Sequence, residues 1–281
     1  MNDRLDMADA VRVRELEVAG EQGPLTARLY ASGDKGKRDT LIVFFPGGGF
    51  VADDLADSDD FLRHLAGVSQ TPVVLASNYT LATVRPFPAA VEDAHAVLLW
   101  AKKNKTKLGW NGKHLLVAGI EAGANLAAVC ALMSRDRGAP KLAGQILIMP
   151  MLDPGLSTCS MREMPNCPDQ EKLADGCAAA YRGYLPNAAD RTHPYASPLQ
   201  SSRLKNLPPA LILSAEDDPL RDEAEAYGAK LKSFGVQASV RRMLPAPQMA
   251  DDRNECACTQ SALVEIASFI ADLEGQEALP D

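Results

Sequence analysis

Glu121 stands at the centre of Gly119-Ile120-Glu121-Ala122-Gly123, where the apolar run HLLVAG (114–119) gives way to helical spacing over 122–134. Glycines two before and two after a central residue, at a junction of strand and helix, make the elbow that thrusts a nucleophile outward in G-x-S-x-G proteins. Here the central residue is a carboxylate. At a helix N-terminus the dipole favours an anion. The donors of Ala122 and of the turn Gly47-Gly48-Gly49 lie within reach of a built-in anion that fills an oxyanion hole. The alternatives are a pocket-floor carboxylate bonded to water and a catalytic group.

The elements that position this residue follow from periodicity. Val11–Val18 and Pro24–Tyr30 alternate as strands, and TLIVFF (40–45) is an apolar run that ends in Pro46-Gly47-Gly48-Gly49. The spacing predicts two edge strands followed by a buried one. Helical spacing covers 57–69 and 87–105, and buried strands are predicted at 72–77, 114–119 and 145–150. Alternating strands and helices imply a parallel sheet covered on both faces. The rhythm breaks over 151–206, which holds one helix (169–184) amid Pro, Cys and Met. It resumes with strand 210–215, helix 219–234, strand 237–243 and a helix near 257–273, and the last eight residues read as a frayed tail.

Phe45-Pro46-Gly47-Gly48-Gly49-Phe50-Val51 and Gly119-Ile120-Glu121-Ala122-Gly123-Ala124-Asn125-Leu126-Ala127-Ala128 resemble the HGGGF and GDSAGGNLA motifs of the hormone-sensitive-lipase-like carboxylesterases. Asn78-Tyr79-Thr80-Leu81-Ala82, Phe87-Pro88-Ala89-Ala90-Val91-Glu92-Asp93 and Asp218-Pro219-Leu220-Arg221-Asp222-Glu223 extend the resemblance, which covers about residues 22–273. It implies an α/β-hydrolase fold: one domain over 1–281, with a mostly parallel eight-stranded sheet, helices on both faces, and a lid over 151–206. It also implies a homodimer through the last strand.

In that family a serine attacks the ester, a histidine takes its proton and an aspartate orients the histidine. The aspartate maps to Asp218. The serine maps to Glu121 and the histidine to Gln248, and no histidine follows His193. Gly47, Gly48, Gly49 and Ala122 map to the oxyanion hole, although Pro46 replaces the histidine ahead of the glycines. Glutamine does not titrate near neutrality and cannot serve as the base. The expectation is therefore a homologue inactive as an ordinary serine esterase, one that binds a small apolar or amphiphilic molecule or a protein partner. The alternative is an enzyme using the carboxylates Glu121 and Asp218, as a hydrolase, lyase or isomerase. Asp218 also reads as a helix-capping carboxylate.

Composition narrows the classes. The 281 residues carry 29 basic and 37 acidic side chains, a net charge of −8, and no long Lys/Arg run. This disfavours a nucleic-acid partner. No window spans a bilayer and no signal-peptide pattern opens the chain, so the reading is soluble and cytoplasmic. Cys256-x-Cys258 lacks the partners of a zinc site, and neither metal nor cofactor is expected. His64, His95, His114 and His193 read as structural, Cys130 as core, and Met149, Met151, Met161, Met164, Met243 and Met249 as lining of the core and the lid cleft.

Overall fold

The computed structural model describes residues 11–33, 36–52, 55–67, 72–163, 170–244 and 257–276. Eight strands form one sheet: β1 (Val11–Ala19), β2 (Pro24–Ser32), β3 (Arg38–Phe45), β4 (Pro72–Ser77), β5 (Trp110–Ile120), β6 (Gly144–Ile148), β7 (Ala210–Ala215) and β8 (Ala238–Met243). Their spatial order is β1-β2-β4-β3-β5-β6-β7-β8. All pairs from β4 to β8 are parallel, and β1 and β2 are antiparallel additions. The expected α/β architecture with a mostly parallel sheet is thus observed.

The helices are α1 (Asp59–Gly67), α2 (Ala89–Lys103), α3 (Ala122–Arg137), α4 (Cys159–Arg162), α5 (Gln170–Tyr184), α6 (Arg221–Ser233) and α7 (Ala257–Gln276). Strand alternation divides the core in two. Leu41, Val43 and Phe45 of β3 join α2, α3, α5 and α6 on one face, while Ile42 and Phe44 join α1 and α7 on the other. Every residue of β4, β6 and β7 is buried, as covering both faces requires.

Two expectations are corrected. β2 is not an edge strand: it pairs with β1 on one side and β4 on the other, with Tyr30 opposite Val74. The last helix continues through Gln276, so three of the eight residues read as a frayed tail are helical. The others lie outside the described residues, as do Met164, Cys167, Gln248, Met249 and Cys256.

The break over 151–206 contains α4, α5 and two short 3-10 turns. Its helix α5 is tied to the body by aromatic contacts: Tyr184 stacks on Phe50 with centroids 3.8 Å apart and meets Phe87 edge-on. The Phe87 N–H donates to the Tyr184 carbonyl at 3.0 Å. Tyr184 is fully buried, and its hydroxyl has no hydrogen-bond partner among the described residues. Tyr184→Phe removes a desolvated, unpaired group, so unfolding stability should be unchanged or higher by about 1 kcal/mol. Tyr184→Ala should lose about 3–5 kcal/mol. Urea melts of the two variants check the contrast.

Candidate active site

The elbow is built by backbone packing. Glu121 has φ 54° and ψ −113°, a region that costs a non-glycine residue about 1–3 kcal/mol and persists only when its surroundings hold it. Its N–H donates to Ile148 O at 2.9 Å, and its carbonyl accepts from Asn125 N at 3.2 Å and Met151 N at 3.1 Å. A Cβ on Gly119 would run into the backbone of Gly123, and one on Gly123 into the carbonyl oxygens of Phe45 and Pro46. Only glycine permits this approach of helix to strand.

Facing the elbow is the Gly47-Gly48-Gly49 turn, fixed by Tyr79, whose hydroxyl donates to Gly47 O at 2.9 Å and Pro46 O at 3.2 Å. The Glu121 side chain points into this turn. Gly48 N–H donates to Glu121 Oε2 at 3.0 Å, and the Gly49 N–H also favours the charged form. Gly47 meets Tyr79 through its carbonyl instead, and Ala122 does not donate to the carboxylate among the described residues. Burial is the largest influence on Glu121 and raises its proton affinity, with the two glycine N–H groups opposing that shift.

Asp218 lies at the end of β7 and accepts the Leu220 N–H at 2.7 Å. Burial pushes its carboxyl up to about 6; the Leu220 N–H opposes this, and the charges of Glu121 and Asp217 add to it. The charge of Glu121 thus adds to the rise at Asp218. Two further groups join them that sequence reasoning passed over. Glu223, in the first turn of α6, is 1% exposed. It accepts Asp153 N–H at 2.9 Å, and burial holds its carboxyl well above the ordinary range. Cys177 of α5 feels the charges of Glu121, Glu223 and Asp218, and burial first and those charges second push its thiol up to about 12. Glu223 was visible in the Asp218-to-Glu223 motif, but its contact with Asp153 spans 70 residues, which no local pattern reveals.

A folded-state carboxyl raised above its ordinary value, roughly 3.9 for Asp, stabilises the fold in acid. For Asp218 that contribution is complete below about pH 4 and is lost as the pH rises through about 6. Asp218→Asn keeps an acceptor for Leu220. It should gain about 3 kcal/mol of stability at pH 7.5, at ~1.4 kcal/mol per pKa unit, and nothing at pH 3.5, as measured by urea unfolding at both values.

The histidines stand elsewhere. His64 Nδ1 lies 2.9 Å from Asp60 O, and His95 Nε2 lies 2.9 Å from Ala139 O. His193 accepts Tyr195 N–H and packs on the rings of Phe87 and Tyr195. His114 occupies the first half of β5, roughly 20 Å of strand below the elbow. Cys130 is fully buried in the core.

Residues 42–247 match the family model for the alpha/beta hydrolase fold. The chain belongs to the α/β-hydrolase family. Within this family it is 34% identical over 235 residues to the esterase LipI of Mycobacterium tuberculosis, a match covering 82% of the chain and 72% of LipI. Carboxylesterase NlhH of the same organism is 34% identical over 208 residues, covering 72% of the chain and 64% of NlhH. A crystallised esterase of Pyrobaculum calidifontis superposes with a TM-score of 0.85 at 38% identity, over 96% of this chain and 89% of that one. These α/β-hydrolases support the resemblance to the hormone-sensitive-lipase-like branch. They also correct the functional expectation: relatives spanning most of the chain are esterases, which points to ester hydrolysis and not to a non-catalytic binding protein. The physical reason is that the expectation rested on residue types alone, whereas the site holds buried ionisable carboxylates. Burial raises the proton affinity of Glu121 and Asp218 in this α/β-hydrolase. No helix among the described residues is long and apolar enough to cross a membrane.

Proposed function

We propose that the chain hydrolyses short-chain carboxylic esters at the elbow, with the Glu121 carboxylate as general base in place of a serine–histidine pair. The observation that carries this reading is a largely buried carboxylate of raised proton affinity at the elbow, 3.0 Å from a backbone N–H of the glycine turn. The esterase relatives supply the reaction class.

An ester carbonyl entering the turn takes the Gly48 and Gly49 N–H groups and displaces the carboxylate. Glu121 then draws a proton from a water as that water's oxygen bonds to the carbonyl carbon. The same N–H groups hold the tetrahedral oxyanion. Collapse breaks the bond to the alcohol oxygen, which leaves with the proton from Glu121. One ester and one water yield one acid and one alcohol, and the carboxylate is restored. Asp218, whose carboxyl is raised chiefly by burial and further by the charge of Glu121, is the neighbouring acid.

Residues 151–206 act as the lid. A Cβ on Gly49 would meet the Ala180 side chain of α5 at 2.9 Å, so the roof over the turn is close and favours small acyl groups. Gln248, at the family's histidine position, supplies no proton transfer in this scheme. β8 ends the sheet among the described residues, and its outer edge is the surface a homodimer through the last strand would use.

Turnover of p-nitrophenyl butyrate in ¹⁸O-labelled water tests the scheme. General-base catalysis places the label in butyrate and leaves Glu121 unlabelled after a single turnover. Label in the Glu121 carboxylate would show direct attack by the side chain, and hydrolysis no faster than without protein would refute the assignment.

A further inference from the structure

We propose that the groove at the amino-terminal ends of β5, β6 and β7, at the opposite end of the sheet from the elbow, binds a soluble medium-chain carboxylate. The groove has a volume of about 730 Å³, within the roughly 300–1,000 Å³ of sites that take small organic molecules. Its floor includes the largely buried Trp110, Leu142, Leu207 and Leu273, with the half-buried Pro208 and Pro209 beside them, and apolar atoms make up the larger part of its surface, against which one face of an alkyl chain would lie.

Charge sets the other half of the ligand. In a protein of net charge −8, this groove is lined by Lys102, Lys113, Arg135 and Lys141 and by no Asp or Glu among the described residues. Lys113 lies 3.6 Å from Asp39, and Arg135 pairs with Asp136 and donates to the Arg203 and Lys205 carbonyls. Lys102 and Lys141 are exposed and form no ion pair among the described residues. They are the charges left to receive an anion.

A second observation points to a ligand. Ser134, on the last turns of α3, is 6% exposed and lines the groove, and its hydroxyl has no hydrogen-bond partner among the described residues. A buried hydroxyl without a partner costs about 1–3 kcal/mol, and a carboxylate oxygen or its accompanying water would satisfy it. An apolar floor, two uncommitted ammonium groups and a waiting hydroxyl together describe an alkyl chain with one anionic head. A neutral alcohol lacks the charge, and a lipid in a bilayer cannot bring its chain into a recess between strand ends without leaving the membrane.

The probe is sodium decanoate below its micellar concentration, titrated by calorimetry into the full chain. One saturable site is expected, weakened at least 10-fold in Lys102→Glu/Lys141→Glu and at least 10-fold for decanol against decanoate. Glu121→Gln should leave this site intact, which separates it from the elbow. Thermal unfolding checks that the charge-reversed pair is folded; if it is not, Lys102→Gln/Lys141→Gln takes its place, with a several-fold loss expected. The proposal fails if decanoate shows no saturable binding, if the lysine changes leave its affinity alone, if Glu121→Gln abolishes it, or if association occurs only with phosphatidylglycerol vesicles.

Discussion

Glu121→Gln is expected to lower kcat for p-nitrophenyl butyrate by about 10²- to 10⁴-fold, the usual worth of a positioned general base, with KM nearly unchanged. Glutamine has the same shape and still offers an oxygen to the Gly48 N–H that Glu121 Oε2 meets at 3.0 Å, but it cannot take a proton from water. The loss therefore falls on the chemical step and leaves binding in place. The same change should stabilise the fold. Burial raises the proton affinity of Glu121, so its contribution to stability is present in acid and is lost as the pH rises through its folded-state value. Above that value the variant is relieved of a desolvated charge and should unfold at higher urea than the parent, the trade between stability and activity found where a site holds an unfavourable group. An equal kcat in parent and variant would remove Glu121 from the mechanism.

Gly123→Ala is the second large effect, and it acts on the scaffold. The added Cβ would fall on the Phe45 and Pro46 carbonyl oxygens, which belong to the backbone joining β3 to the glycine turn. No flexible side chain is there to yield. Overpacking of a well-filled interior costs about 1–3 kcal/mol and sometimes more; against backbone the expected loss is about 3 kcal/mol or above, a fall in Tm of roughly 6–12 °C for a chain of this size. Gly176→Ala is the control. Gly176 lies within α5 with nothing near its would-be Cβ, so that variant should gain about 0.5–1 kcal/mol from helix propensity alone. Differential scanning calorimetry of the two variants separates steric exclusion from the generic effect of adding a methyl group.

The sequence carried the fold through its periodicities. Fully apolar runs such as PVVLAS and ALILSA became strands buried on both faces, and the elbow glycines became the point where α3 closes onto β3. The misplacement of β2 has a clear origin. A half-buried alternation looks the same in an edge strand and in one paired on both sides, and only the pairing of β2 with β4, Tyr30 opposite Val74 across 44 positions of sequence among its partners, decides between them. The site was legible where the backbone defines it and illegible where side chains do. Glycine spacing located Glu121, but whether its carboxylate turns toward Gly48 or toward solvent depends on torsions that no motif encodes. Glu223 and Cys177 join the carboxylate cluster through helices far apart in the chain. The expectation of an inactive protein erred for a different reason. It rested on residue types at three positions and gave no weight to a likeness to esterases that spans most of the chain.

The central claim is that a carboxylate at the elbow drives ester hydrolysis, and the pH dependence of kcat/KM for p-nitrophenyl butyrate, in the parent and in Glu121→Gln between pH 4 and 8, tests it most directly. The parent should show a rate that rises with ionisation of Glu121, with its midpoint above the ordinary carboxyl range because burial raises its proton affinity, and the variant should lose both the rate and the rise. Parent and variant sharing one profile, or a parent rate no greater than that of buffer, would contradict the account.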